Sequence, residues 1–250
     1  MLGSMVADVS RGWARACAAL LDAGAELALG TCCAGCAGPA RLLCAGCAEE
    51  LVGATPIRRE LPGREVVHGR GAGGAVVAAA PYTGVAQGVI VAHKENGRLG
   101  LARPLAAMIV VAMAHVLPEP ATGPVVLVPV PSSPRAVRRR GHDPVLRISR
   151  RAATTLRRAG RTAVVVPLLR RVRRVRDQAE LDAAARATNL HDAIGVRPRR
   201  LGQVGLEGAH VVVVDDIVTT GATLAECARA LGVAGVSVTG SVVAAAVGEH

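Results

Sequence analysis

Val211-Val212-Val213-Val214-Asp215-Asp216-Ile217-Val218-Thr219-Thr220-Gly221-Ala222-Thr223 is the stretch on which the reading of the fold turns. Four successive valines make a strand apolar on both faces, as a buried strand of a parallel sheet requires. Two carboxylates follow at what is expected to be its solvent-facing C-terminal end. A Thr/Gly loop then opens a helix expected over 223–231, ending at Gly232. The same alternation recurs on either side. Residues 125–130, 163–169 and 236–246 read as strands, and 143–158 reads as a helix. Strands alternating with helices imply an α/β fold, a parallel sheet flanked by helices with right-handed crossovers. A further strand is expected at 75–80, then a turn at Tyr82-Thr83-Gly84, then a helix over 102–117 with Pro104 near its first turn.

The segments outside this alternation are less regular. Residues 5–29 carry Val6, Val9, Trp13, Cys17, Leu20 and Leu21 at helical spacing. Residues 53–74, rich in Gly, Pro and Arg, read as a linker. Residues 171–205, polar and Arg-rich, read as a partly mobile loop. The expected division is a small unit, 1–52, and a main domain, 75–250, which the length of 250 residues accommodates. Apolar residues make up 51%, enough for a core, but Phe is absent and there is one Trp and one Tyr. Val, Ala and Leu must therefore fill that core.

The net charge of +11 is local. Residues 135–176 hold fifteen Arg against one acid, Asp143, so the rest of the chain is slightly acidic. One basic segment points to an anionic site, either a small polyphosphate or a strand of DNA. The longest apolar run, 105–116, is interrupted by His115 and is too short for a membrane span. Near the N-terminus Asp8, Arg11, Arg15 and Asp22 interrupt the apolar residues, unlike a signal peptide, so the cytoplasm is expected. In that reducing setting, seven Cys argue for metal or chemistry rather than disulfides.

The loop at 219–223 suits a phosphate. Gly221 lets the backbone approach closely. The free N–H groups of the helix start, with the Thr219, Thr220 and Thr223 hydroxyls, suit a phosphate monoester. Two carboxylates beside a phosphate would repel it unless they serve another group, and ribose hydroxyls fit that role as donors to Asp215 and Asp216. A second cluster, Cys33-Ala34-Gly35-Cys36 and Cys44-Ala45-Gly46-Cys47, has the spacing of a closed tetrahedral zinc site with a structural role. Cys32 is an alternative to Cys33 as ligand. Cys17 and Cys227 read as core residues. Lys94 is the only lysine among 29 arginines, which suggests a need for a compact ammonium. His93 and five other histidines show no constellation, whereas His142 follows Arg140-Gly141 and belongs near the site.

The run of four apolar residues, two acids and T-x-G-x-T closely resembles the phosphoribosyl-pyrophosphate (PRPP) signature of type I phosphoribosyltransferases. That resemblance implies that Asp215 and Asp216 hold the ribose as the catalytic pair, and that Thr219, Thr220, Gly221, Ala222 and Thr223 bind the 5′-phosphate. By the same resemblance, pyrophosphate contacts fall to the loop after an earlier strand, with Ser132, Ser133, Arg135 and Arg140 as candidates beside Lys94. A four-cysteine knot followed by such a domain resembles the layout of the ComF family. Pro81-Tyr82-Thr83-Gly84 through Ala92-His93-Lys94 resembles the family's Y-x-G segment running into a Lys. Val128-Pro129-Val130-Pro131 and Arg139-Arg140-Gly141-His142-Asp143 resemble its V-P-V-P and R-G-F-N motifs. Leu168-Leu169-Arg170 with Asp177-Gln178-Ala179-Glu180-Leu181, Arg186 and Asn189 resembles its L-L-x-R, Q-x-x-L and R-x-x-N pattern. Three positions depart from it, His142-Asp143 in place of Phe-Asn and Glu95 in place of Tyr. The resemblance implies a phosphoribosyltransferase, a glycosyltransferase of pentosyl groups, using PRPP with magnesium and linked to competence and DNA uptake. The other reading is a non-catalytic module that grips single-stranded DNA or a DNA-uptake protein and keeps the phosphate loop.

Overall fold

The structure is a computed structural model, and it describes residues 32–62, 74–119, 122–172 and 192–248. The expected helix at 5–29, with Cys17, and the motif residues 177–189 lie outside the described residues. The first described element is helix α1 (Ala45–Gly53), which follows the cysteine cluster. Strands β1 (Ile57–Glu60) and β2 (Ala75–Pro81), helices α2 (Gly84–Lys94) and α3 (Ala102–Ala114), and strand β3 (Val125–Pro129) come next. Then follow α4 (Pro134–Arg140), α5 (Pro144–Arg158), β4 (Ala163–Val165), β5 (Leu169–Arg171), β6 (Ile194–Val196), α6 (Pro198–Leu201), β7 (His210–Val218), α7 (Ala222–Val233) and β8 (Gly240–Ala246).

Six strands form one sheet in the order β1-β2-β8-β7-β3-β4. All neighbours are parallel except the β1–β2 pair at the edge. The alternation of side chains across a strand divides the core in two. Val77, Ala79, Leu127, Val212, Val214 and Val242 face α2, α3 and α5, while Val76, Val126, Val128, Val211, Val213 and Val243 face α7 and the small β5–β6 sheet. Helix α3 is apolar nearly all round because the sheet, α1 and α5 enclose it. Helix α5 has one apolar face and an arginine-rich outer one. It starts at Asp143, whose side chain accepts from the Leu146 N–H at 3.1 Å, with Pro144 at its first position.

Four sequence expectations change. The segment 53–74 is not all linker, since Ile57–Glu60 pairs with β2 as a short, polar edge strand. Residues 163–169 are not one strand. β4 ends at Val165, Pro167 cannot donate to a ladder, and Leu169 starts the separate β5–β6 sheet. Within 171–205, the described residues 192–205 form β6 and α6 rather than an irregular loop. Helix α2 was unread because Gly84, Gly88 and β-branched Val weaken local helix propensity. Tertiary contact decides it. At Gly88 the Ala34 carbonyl of the cysteine cluster comes so close that an added Cβ would collide with it. Among the described residues, no helix is long and apolar enough to cross a membrane.

Candidate phosphoribosyl site and metal centre

Strands β2, β8, β7 and β3 all end on the same edge of the sheet, where ligands of open α/β sheets bind. β7 lies between β8 and β3 and runs on to Val218, so the two acids sit inside the strand rather than after it. Consecutive strand residues point to opposite faces. Asp216 turns towards α2 and is buried, with the Lys94 Nζ at 2.8 Å from Oδ2 and 3.1 Å from Oδ1. That corrects the expectation of a solvent-facing pair. Asp215 stays half-buried, and its Oδ1 accepts from the Asp216 N–H at 2.9 Å. Burial, then the neighbouring Asp216 charge, push the Asp215 carboxyl up to about 8, against the pull of Lys94, of that amide and of Arg171. Burial works against the Lys94 charge, but Asp216 and Asp215 outweigh it and hold the ammonium above its ordinary range. Asp215 thus keeps its proton more readily than a free aspartate, next to the Asp216–Lys94 ion pair on the other face of the strand.

The loop beyond β7 places Thr219 in solvent and Thr220 and Thr223 partly so, with Ala222 buried at the helix start. Gly221 has φ of +77°, which favours glycine, and it gives α7 no side-chain cap. The Thr220 hydroxyl accepts from the Ala222 N–H at 3.5 Å, and the Thr223 and Leu224 amides of the first turn are left for an anion. In the Cβ direction of Gly221 stand Leu61 Cδ2 at 2.9 Å and Pro62 Cδ at 3.2 Å. That space, which sequence reasoning assigned to a phosphate, belongs to the segment after β1.

The β3 loop is the neighbour of this one, because the Val130 N–H donates to the Val214 carbonyl at 2.9 Å. Ser132 donates to Asp143 Oδ1 at 3.1 Å, and Ser133 caps α4 by accepting from the Ala136 N–H at 3.2 Å. Arg135 is exposed at the start of α4. Arg140 is turned back to Glu95, donating from Nε at 3.1 Å. Sequence reasoning missed two members of this surround. Arg171 donates to the Pro131 carbonyl at 3.1 Å and acts on the Asp215 charge, but in a run of arginines nothing local marks it. His93 was read as isolated, yet it packs on His142 with ring centroids 5.4 Å apart.

The cysteine cluster is a separate centre. The Sγ atoms of Cys33, Cys36, Cys44 and Cys47 all lie within 4.8 Å of one another. Cys36 and Cys44 are 3.8 Å apart, the edge of a tetrahedron with metal–sulfur bonds of about 2.3 Å. Cys33 is buried and belongs to this cluster, whereas Cys32 is exposed and does not. Burial alone would raise the Cys33 thiol. The amides around its sulfur, Gly35 at 3.4 Å and Cys44 at 3.3 Å among them, bring it down to about 6. Burial and the three neighbouring sulfurs push Cys47 far up. A sulfur cluster that can ionise only in part without a counter-charge is suited to a soft divalent cation. Cys227 lies fully buried against α7's core side, as expected.

Compared with known families, residues 144–250 match the model described as phosphoribosyl transferase domain. No curated protein matches the chain. The match starts at α5, yet the sheet it belongs to is completed by β2 and β3 from upstream, with β2 beside β8 and β3 beside β7.

Two outcomes follow from this geometry. Purified protein should carry about one zinc per chain, and Cys47→Ser should lose it, as metal analysis would read. Raised above the ordinary aspartate value of about 4, Asp215 costs stability as pH rises from about 4 to 8, because the unfolded chain releases that proton first. Asp215→Asn should therefore melt at a higher temperature than the unaltered protein at about pH 8.5, with the gap narrowing as pH falls. A gap that does not change with pH would contradict this account.

Proposed function

We propose that this chain binds PRPP with magnesium and transfers its phosphoribosyl group to a nucleophile, releasing pyrophosphate. The observation that carries the reading is the central strand β7. It carries an acid pair near the ligand edge and leads through Thr219 and Thr220 into a left-handed Gly221 that opens a helix without a side-chain cap of its own, within residues that match a phosphoribosyl transferase domain. In this reading Asp215 and Asp216 hold the ribose hydroxyls, and Thr219, Thr220, Ala222 and Thr223 with the α7 amides hold the 5′-phosphate. Ser132, Ser133, Arg135, Arg140 and Lys94 face the pyrophosphate. The acceptor's lone pair forms the new bond at the anomeric carbon as the bond to pyrophosphate breaks and the leaving group keeps the electron pair. The acceptor's proton is then lost. Positive charge develops on the ribosyl unit, and the β7 acid pair is the group assigned to offset that charge. Magnesium bound with the substrate would neutralise part of the diphosphate charge, leaving less for Lys94 and the arginines to offset. Lys94 balances Asp216 before substrate arrives and is within the same cluster to meet the diphosphate.

The metal of the cysteine cluster is proposed to be zinc with a structural role. The proposed division is a small unit over 1–52 and a main domain over 75–250. The resemblance to ComF proteins supports a place in DNA uptake by competent bacteria, in the cytoplasm. A second reading, a DNA-handling accessory, draws on one observation. Arg135, Arg138, Arg150, Arg151 and Arg158 are exposed and pair with no carboxylate among the described residues.

Calorimetry with PRPP and magnesium tests the first reading. Thr220→Val and Asp216→Asn should each weaken binding by roughly tenfold or more, since a charged hydrogen bond is worth about 1.5–3 kcal/mol. Asp216→Asn should also lower stability by on the order of 1–3 kcal/mol, because it strands the half-buried Lys94 ammonium. Absence of PRPP binding at millimolar ligand would end the enzyme reading. For the second reading, Arg150→Gln with Arg151→Gln and Arg158→Gln should weaken binding of a single-stranded oligonucleotide and flatten its salt dependence while PRPP binding holds.

A further inference from the structure

Two loops of the candidate site are joined by a contact that neither reading uses. His93, at the end of α2, and His142, in the turn between α4 and α5, pack with ring centroids 5.4 Å apart and planes tilted by 59°. Both rings are buried, His93 almost completely. His142 Nδ1 lies 3.1 Å from the Arg140 carbonyl, which can only accept, so Nδ1 donates. His93 Nδ1 lies 3.5 Å from the Arg98 carbonyl. Nε2 of each ring is buried without a hydrogen-bond partner. Among the described residues, neither ring is hydrogen-bonded to a carboxylate.

What the contact joins is chemically specific. The residue after His93 is Lys94, which holds Asp216. The residue after His142 is Asp143, which holds Ser132 and caps α5. Beside the rings, Glu95 at the end of α2 pairs with Arg140 and Arg139 of α4. His142 and Glu95, two of the residues that differ from the ComF-like pattern, both lie at the seam between the end of α2 and the α4–α5 turn.

We propose that His93 and His142 are positioning residues, which as a neutral pair lock Lys94 and the β7 carboxylates against the Ser132–Asp143 loop, so that protonating the pair loosens the anion site. The proposal rests on the phosphoribosyl reading of that site. The charged groups about the rings are Arg98 after α2, Arg140 and Asp143 on either side of His142, Arg147 of α5, and Lys94 and Glu95 at the end of α2. Most are cationic, and the two acids are engaged by Ser132 and the Leu146 amide and by the arginines of α4. In keeping with this, burial first, and then His142 and Arg147, hold the His93 imidazole below its ordinary range. A ring lowered in the folded state takes up its proton less readily than in the unfolded chain. Stability is therefore full above about pH 6.5 and is lost as pH falls through the lowered value.

The test is calorimetric titration of PRPP with magnesium at about pH 7.5, 6.5 and 5.5 for the unaltered protein, His142→Phe and His142→Ala, with melting curves at each pH. The ligand's own phosphates titrate near pH 6, but equally for all three proteins. His142→Phe keeps a ring in the contact and should bind at pH 7.5 about as well as the unaltered protein. On acidification the unaltered protein should lose affinity more steeply than His142→Phe, by on the order of tenfold between pH 7.5 and 5.5. His142→Ala should bind more weakly at pH 7.5. Parallel pH profiles for the unaltered protein and His142→Phe would overturn the proposal, as would full affinity in His142→Ala. Should the unaltered protein bind no PRPP at any pH, the phosphoribosyl reading fails and the melting curves decide the seam. They should fall more steeply below pH 6.5 in the unaltered protein than in His142→Phe, and coincident falls would overturn the lock. If His142→Phe does not fold, His93→Gln takes its place in the same comparison.

Discussion

Two aspartates in succession on the central strand of a parallel sheet cannot both be charged and remain there without a counter-ion. Most of the site's arrangement follows from how this chain meets that constraint. Asp216 is neutralised by the single lysine, at 2.8 Å, and Asp215 tends to keep its proton. To deliver that ammonium, α2 has to end beside the ligand edge of the sheet. The end of α2 in turn carries Glu95 and His93, which bind the α4–α5 turn. One electrostatic requirement on β7 thus fixes the placement of two other segments.

The cysteine cluster takes part in the same chain of contacts. An added Cβ at Gly35 would come within 2.8 Å of both Cys47 Sγ and Val85 of α2, and Gly88 admits the Ala34 carbonyl. Arg98, just beyond α2, donates to the carbonyls of Cys32, Arg41 and Leu42 at 2.7, 2.9 and 3.2 Å. A metal that holds the four sulfurs therefore also holds the surface on which α2 rests. This gives a structural metal a consequence for the position of Lys94, through packing and backbone hydrogen bonds alone.

The absence of Phe is met by small residues at close range. Ala and Val line both faces of the sheet, and α3 brings ten buried side chains, mostly Ala, Ile, Leu, Met and Val, onto it. Gly240 lets Val116 approach β8, where an added Cβ would clash. Short side chains lose little rotamer freedom on burial, and they let layers lie close enough to bury the sheet on both faces.

The four valines before Asp215 specified a doubly covered strand, because no half-exposed strand is apolar on both faces. The Thr/Gly turn specified the helix behind it. Paired C-x-x-C spacing specified a four-sulfur cluster, since four thiols so close in sequence can reach one centre. These features are local, and local rules suffice for them. What the tertiary structure decided is non-local. The choice of Cys33 over Cys32 depends on which side chain the fold turns inward. The burial of Asp216 depends on Lys94, 122 residues away. The helix at 84–94 forms against local propensity because the cluster packs on it. His93 gained a partner from a turn that is distant in sequence. Pairings across such distances leave no periodicity to read, and only the packed sheet brings them together.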